Sequence, residues 1–391
     1  MKYRLLVIDS HPIQYRAPLF NRLARHPDID LSVYYYSRQG AIDYFDPGFQ
    51  VKVRWDNLSL EGHQHKFVKS YIFSSPANRL CALFSPELLK GLSSRRYDAV
   101  ILCGYFFLMN WFLPVISKFF KIPVIFAGET VLFQGLKPAK RIFLKLFFNN
   151  IKAFLYIGTK SLEFYQHLRL PRERLFFLPY SVDNDFFISE TERFWSEKER
   201  IKKDAGIACG MPVILYASKL IPRKRPQDLL YAFSQIEEKA ALVFIGDGIM
   251  REELENYAHK NTIKNVYFLG FKNQSELPRY YALADIFVLP SAYEPWGLAV
   301  NEAMCAGLPI ITTDKVAAAY DLVKDSENGF ILKPGDIQGL KNRLLDLIQS
   351  EAKRKKMGIE SLKIISNWSY DGCVKGIAAA LEFSSKKGRP S

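Results

Sequence analysis

Apolar and polar positions in this chain follow two rhythms in turn. Short, unbroken apolar runs alternate with longer stretches whose apolar residues recur at helical spacing. The runs Leu5–Ile8, Ile29–Tyr36, Asp98–Cys103, Pro123–Ala127, Ala153–Ile157 and Leu175–Leu178 read as buried strands. His11–Ala17 reads as a loop. Pro18–Arg25 reads as a helix with Leu19, Phe20 and Leu23 on one face, and Asp43–Lys66 as irregular. The second half repeats the alternation, with strands at Pro212–Ala217, Ala241–Gly246, Val266–Leu269, Ala284–Pro290, Pro309–Thr312 and Gly329–Leu332. Helices are predicted between them at Pro226–Ile236, Met250–His259, Gln274–Ala284 and Ala299–Ala306, with Ile337–Lys353 after the last. Strands alternating with helices imply a parallel α/β sheet in each half. Ligands of such sheets bind at the carboxyl ends of the strands. The loops after Ala217, Gly246, Leu269 and Pro290 all lie at such ends and are expected to meet in one cleft.

Length and composition fit this picture. At 391 residues and 49% apolar, the chain should form two domains, each with its own core. The predicted division is residues 1–188, residues 189–365, and a last helix over 366–391 that crosses back to the first domain. The charged stretch Glu190–Asp204 is read as the inter-domain linker together with the helix that opens the second half. Leu5–Ile8 is too short an apolar core for a signal peptide, which needs roughly 7–15 such residues. Ala99–Ser117 lacks charge over 19 residues, but Gly104, Asn110 and Pro114 favour strand, loop and buried helix over a membrane span. Five cysteines, Cys81, Cys103, Cys209, Cys305 and Cys373, form no C-x-x-C pair, which favours buried thiols in a reduced, cytoplasmic setting. The net charge is +14, of which Met1–Tyr180 holds about +13 and the remainder about +1. The densest part, Leu136–Lys160, interleaves Lys137, Lys140, Arg141, Lys145 and Lys152 with Phe143, Leu144, Leu146, Phe147 and Phe148. This is either a core helix with a solvated basic face or an interfacial helix on an anionic membrane. No zinc-finger spacing or aromatic RNA-binding signature supports nucleic acid as the partner.

The chemistry concentrates in Ser291–Gly307. Glu294 and Glu302 stand eight residues apart around a strand–loop–helix turn. The helix N-terminus offers backbone N–H groups to an anion, and the two carboxylates offer acceptors for hydroxyl groups. Phosphate between polyols describes a nucleotide sugar. Ser218–Pro226 adds Lys219, Arg223, Lys224 and Arg225 at another strand end, where fixed cations suit a diphosphate leaving group. Gly246 and Gly248 allow close backbone approach, and Gly270–Phe271 places an aromatic where it either flanks a nucleobase or packs. In the first half, His11 and Glu129 both follow strands. His11 either orients an acceptor hydroxyl, acts as acid or base, or is a satisfied loop histidine. Asp183-Asn184-Asp185 has a D-x-D form, but carboxylates at such a boundary more often make turns.

Together, and in this order, these stretches resemble the retaining glycosyltransferases of family 4, with their two-domain GT-B fold. The resemblance is strongest over about Val213–Asp336. It rests on Lys219 with Lys224, the turn Gly246–Gly248, the pair Glu294 and Glu302, and the downstream Asn328-Gly329 and Pro334–Asp336. Leu178–Phe187 is similar to the family's hinge segment, which sets the D-x-D idea aside. The resemblance implies two Rossmann-like domains facing each other across a cleft. Glu302 should then hold the ribose hydroxyls and Glu294 the donor sugar. Backbone N–H groups at Gly297 and Leu298 should face the diphosphate, and Lys219 and Lys224 should neutralise it without a metal or other cofactor.

Departures from the pattern concern the remaining chemistry. Lysine stands at 219 where arginine is usual, Arg225 stands where glycine is usual, and His11–Gln14 replaces a glycine-rich loop. Glu129 lies near the position of a cleft histidine, so Glu294, His11 and Glu129 are the expected residues at the reacting centre. The expected partners are a nucleotide-sugar donor, a glycan or lipid-linked acceptor and an anionic membrane surface, with surface polysaccharide or lipopolysaccharide as the product. The expected place is the inner face of the cell membrane. The alternatives are a GT-B sugar epimerase, a soluble disaccharide synthase, or a non-catalytic binder on the same fold.

Overall fold

The computed structural model describes residues 2–68, 71–72, 83–94, 96–105, 107–236 and 239–386. The chain forms two compact units. One comprises Met1–Ile42, Leu58–Tyr180 and Tyr370–Ser391; the other comprises Asp43–Asn57 and Ser181–Ser369. The units change at Tyr180–Ser181 and Ser369–Tyr370, where divisions after 188 and 365 were expected. The placement of Asp43–Asn57 in the second unit was not foreseen.

The first unit is built on a seven-stranded sheet. Its order is Leu175–Phe177, Ala153–Tyr156, Val124–Ala127, Ala99–Cys103, Tyr3–Asp9, Ile29–Tyr35 and Gln64–Phe67, with every pairing parallel. Both faces are covered, so the central strands read as continuous apolar runs. Leu6, Ile8, Val100 and Leu102 point into one core, and Leu5, Val7, Ala99 and Ile101 into the other. That second core is closed by the final helix, Tyr370–Lys386, through Cys373, Ile377, Ala380 and Leu381. Asp371 fastens the start of that helix to Arg22 of helix Arg16–Ala24 with two hydrogen bonds of 2.8 and 3.0 Å. Gly376 lies so close to the Phe177 carbonyl that a Cβ there would overlap it.

The second unit carries a six-stranded parallel sheet. Its order is Val266–Phe268, Ala241–Ile245, Val213–Ala217, Ile286–Leu289, Ile310–Thr313 and Gly329–Leu332. Numbered along the chain, this is 3-2-1-4-5-6, and the first sheet follows the same scheme with one more strand. The order reverses between Val213–Ala217 and Ile286–Leu289, which puts the switch point at Ser218 and Pro290. Ile214, Tyr216, Leu242, Phe244, Ile286 and Val288 form the core on one side of the sheet with helices Pro226–Phe233, Arg251–Lys260 and Ile337–Ile348.

Several local expectations need correction. Asp43–Lys66 is not irregular: Tyr44–Asp46 pairs antiparallel with Val51–Val53, and Gln64–Phe67 joins the sheet edge. The turn of the antiparallel pair is set by Asp46, whose carboxylate accepts the Gly48 and Phe49 N–H groups. The edge strand has one neighbour and polar residues, so it carries no apolar run to detect. Glu190–Asp204 is mostly helix, split between Asn184–Trp195 and Lys198–Asp204. The expected helix from Ile337 stops at Ile348. A new one, Glu351–Ile365, starts where the Ser350 hydroxyl accepts the Lys353 N–H. The helix expected to be buried after Cys103 is Leu108–Phe119, and one face of it is exposed: Leu108, Phe112, Val115 and Phe119. Cys103, Cys305 and Cys373 are buried free thiols, Cys209 is exposed, and Cys81 lies outside the described residues.

A methyl group at Gly376 must push the final helix off the strand end it covers. Gly376→Ala should therefore cost about 1–3 kcal/mol of stability, read from denaturant unfolding. An unchanged midpoint would contradict the packing described.

Candidate functional site at the switch point of the second sheet

The two loops at the switch point are joined directly. The Ala292 N–H donates to the Arg223 carbonyl at 2.9 Å, and the Arg223 guanidinium donates to the Tyr293 carbonyl at 2.8 Å. The first loop tightens into a single helical turn, Pro222–Lys224, and leaves it through Arg225 at φ +52°. A left-handed backbone is where glycine is usual, and a side chain there costs about 1–2 kcal/mol. Arg225 offsets that cost by donating twice to Asp228, which also accepts the Gly335 N–H at 3.1 Å. The arginine thus ties the cationic loop to the Pro334–Asp336 element.

Glu294 sits at the centre. Its side chain is buried and accepts from the Ser291 hydroxyl at 3.0 Å, pairs with the Lys224 ammonium, and lies 3.6 Å from Arg223. Burial pushes the Lys224 ammonium below its ordinary value, and the adjacent Glu294 carboxylate opposes that shift. The Glu294 backbone is pinned on both sides by hydrogen bonds to Lys315 and Ala317. Gly297 follows at φ +102° and opens helix Leu298–Cys305. A Cβ at Gly297 would crowd Val316 and Leu289, so the turn that aims this helix N-terminus requires glycine.

Glu302 lies one turn inside that helix and is buried; it accepts from the Tyr281 hydroxyl at 2.7 Å. Burial raises its carboxyl to about 7, against the lowering effect of the Tyr281 bond. Tyr281 has no motif of its own; only its place on an apolar helix face hinted at burial.

Lys219 is not open to solvent on all sides. Its ammonium donates to Asp46 at 2.8 Å and lies 4.6 Å from the centre of the Phe49 ring. Burial acts to raise the Asp46 carboxyl, but Lys219 and the N–H groups of Phe49 and Gly48 outweigh it and hold it below its ordinary value. The same hairpin meets the Gly270–Phe271 loop. Phe271 packs edge-on against Phe49 with centroids 4.9 Å apart and lies 6.1 Å from Trp55. Asn273 donates to the Arg54 carbonyl at 2.6 Å. Gly270 itself stands at φ +72°. Gly246 and Gly248 serve loop packing: Cβ atoms there would run into the Ser218 and Leu220 carbonyls. The hairpin carries no recognisable motif, so Asp46, Phe49 and Trp55 could be found only once the chain was folded.

In the first unit, His11 follows the first strand, Tyr3–Asp9, and Glu129 follows Val124–Ala127, two places away in the sheet. The His11 ring is 2.9 Å from the Ser10 hydroxyl. Burial and the nearby Arg16 lower the imidazole to about 4, so it is neutral at physiological pH. Glu129 accepts from the Tyr180 hydroxyl. Beneath them Arg16 pairs with the buried Asp9 at 3.2 Å. Burial raises the Asp9 carboxyl, and Arg16 partly opposes it. Sequence reasoning passed over Asp9, Arg16 and Tyr180; the signal was the acidic residue ending the first strand. Asp183 of the D-x-D form caps helix Asn184–Trp195 by accepting the Phe186 N–H at 3.2 Å. Among the described residues no group of three or more His, Cys, Asp or Glu is placed to hold a metal ion.

Residues 197–363 match the family model described as glycosyl transferases group 1. An uncharacterised glycosyltransferase of Methanocaldococcus jannaschii is 34% identical over 143 residues, which are 36% of this chain and 36% of that protein. The N-acetyl-alpha-D-glucosaminyl L-malate synthase of Bacillus anthracis is 29% identical over 175 residues, 44% of this chain and 45% of the synthase. The chain thus spans less than half the length of either relative. The structure of Anabaena HepE in complex with UDP superposes with a TM-score of 0.74 at 18% identity, covering 98% of this chain and all of that one. The two-unit architecture is the GT-B fold.

The Glu302 carboxyl binds its proton more tightly in the folded chain than in the unfolded one. Its contribution to stability is therefore fully present below the ordinary value near 4.5 and is lost as pH rises through about 7. Glu302→Gln keeps an acceptor for Tyr281 and removes the ionisation. The variant should be more stable than the parent at pH 8 by on the order of 1–3 kcal/mol, with the gap closing by pH 4.5. Parallel stability–pH curves would contradict the burial assigned to Glu302.

Proposed function

We propose that the chain transfers a hexosyl group from a nucleotide sugar to a glycan or lipid-linked acceptor, with retention, as a family 4 glycosyltransferase. The product would be a surface polysaccharide or lipopolysaccharide, made at the cytoplasmic face of the membrane. One observation carries the reading: a buried Lys224–Glu294 pair stands beside a glycine-opened helix N-terminus at the sheet's switch point. Transfer leaves a nucleoside diphosphate, and its developing charge must be met by fixed positive groups. Lys224, Arg223, Lys219 and the N–H groups at Gly297 and Leu298 supply them, so the proposed reaction needs no metal. Glu294 would accept from the donor sugar's hydroxyls while keeping Lys224 in place. Glu302, one helical turn on, would accept from the ribose. Phe271, with Phe49 and Trp55, would flank the base. His11 and Glu129 would address the acceptor. The UDP-bound Anabaena structure makes UDP-sugars the first donors to try.

Three outcomes test this reading. With a panel of nucleotide sugars, the chain should turn over at least one donor, seen as nucleotide release. Glu294→Gln should slow turnover about 100-fold or more while donor affinity changes far less. Glu302→Ala should weaken nucleotide binding about tenfold in calorimetry. Binding without turnover by the parent would favour a non-catalytic binder, and an unaffected Glu302→Ala would sink the reading. Asp46→Asn keeps the acceptor of the Gly48 and Phe49 N–H groups but removes the charge that occupies Lys219. It should tighten UDP binding roughly severalfold; weaker binding would mean that Asp46 holds Lys219 in its working position.

A further inference from the structure

Helix Leu108–Phe119 buries Met109, Leu113 and Ser117 and turns Leu108, Phe112, Val115 and Phe119 outward. The outward residues are spaced four, three and four apart, which makes one continuous stripe. Phe119 is 82% exposed. Helix Pro138–Phe148 buries Leu144, Phe147 and Phe148 and exposes Ile142, Phe143 and Leu146, the last at 67%. Trp111 joins the two helices, with ring centroids 4.4 Å from both Phe143 and Phe147. The stripes are thus neighbours in one surface. Seven large apolar side chains in one place exceed what an ordinary soluble surface leaves open.

Charge says what covers this face. Neither helix contains an acidic residue, and exposed Lys118, Lys137, Lys140 and Lys145 border the apolar stripes. A protein partner buried on an apolar patch has no need of an unrelieved basic border. An anionic bilayer needs both: lysines for the headgroups and bulky apolar side chains for the acyl boundary. No described helix is long and apolar enough to cross a membrane, so the contact is with one leaflet.

We infer that these two helices together form a docking face for an anionic membrane, with Phe112, Phe119, Ile142 and Leu146 entering the headgroup–acyl boundary. The inference stands on the exposed faces. It extends the proposed function by placing the chain where a lipid-linked acceptor is met, and it assigns a role to the exposed face of Leu108–Phe119.

Co-sedimentation with phosphatidylcholine vesicles, with and without phosphatidylglycerol, tests it at low and high salt. The chain should bind only the anionic vesicles, and salt should weaken the binding. Phe119→Ser with Leu146→Ser should lower the partition about tenfold or more. Lys140→Glu with Lys145→Glu should do the same and abolish the salt dependence. Both variants alter exposed positions and should keep the parent's melting temperature. The inference is overturned if the parent ignores anionic vesicles or if the apolar variant binds as the parent does. It is equally overturned by a concentration-dependent dimer, seen in sedimentation velocity, that the apolar variant abolishes. UDP calorimetry in lipid-free buffer reads the donor site separately. Intact UDP binding without vesicle binding sinks this inference alone, and the reverse sinks the proposed function alone.

Discussion

Much of the second unit's loop structure depends on one buried ion pair, Lys224 with Glu294. Both side chains are largely shielded from water; Glu294 opposes the burial that lowers the Lys224 ammonium, and Ser291 donates to the Glu294 carboxylate. Removing one member of such a pair leaves a buried charge and typically costs about 3–5 kcal/mol. A pair so expensive to break gives weak evidence of stability. It does explain the geometry around it: the 3₁₀ turn, the left-handed Arg225 and the glycine at 297 all hold the two loops in the one register that lets Lys224 and Glu294 meet. Gly297, which opens helix Leu298–Cys305, stands three residues after Glu294, so the ion pair and that helix N-terminus belong to one loop.

Two of the cations stand in different states. Lys224 is committed to a partner of its own loop system, whereas Lys219 is committed to Asp46, brought in from a distant part of the chain. In the proposed function that carboxylate competes with the donor diphosphate for Lys219. Phe49 and Trp55 follow Asp46 in the same segment and pack on Phe271, so the element that reaches Lys219 also reaches the Gly270–Phe271 loop.

How much was legible in the sequence follows from physics. Central strands such as Val213–Ala217 and Leu5–Ile8 are buried on both faces, so their apolar runs gave them away, and their parallel order followed from the alternation with helices. Glu294, Glu302, Lys219 and Lys224 stood out as candidates because loop chemistry at strand ends is local. What escaped depends on tertiary contact. The Asp43–Asn57 hairpin has three-residue strands stabilised by a side-chain turn and by docking, neither of which leaves a periodic pattern. Tyr281 and Tyr180 act through hydroxyls whose partners lie 21 and 51 residues away. The exposed stripe of Leu108–Phe119 was misread because apolar spacing looks the same whether a helix faces a core or a lipid.

The central claim is that a donor diphosphate sits between the Ser218–Pro226 loop and the N-terminus of helix Leu298–Cys305. A crystal structure with UDP bound tests it most directly. The account predicts phosphate oxygens within hydrogen-bonding distance of Lys219 and of the Gly297 or Leu298 N–H, with the ribose hydroxyls on Glu302. A diphosphate bound elsewhere, with Lys224, Lys219 and the helix N-terminus all untouched, would contradict it.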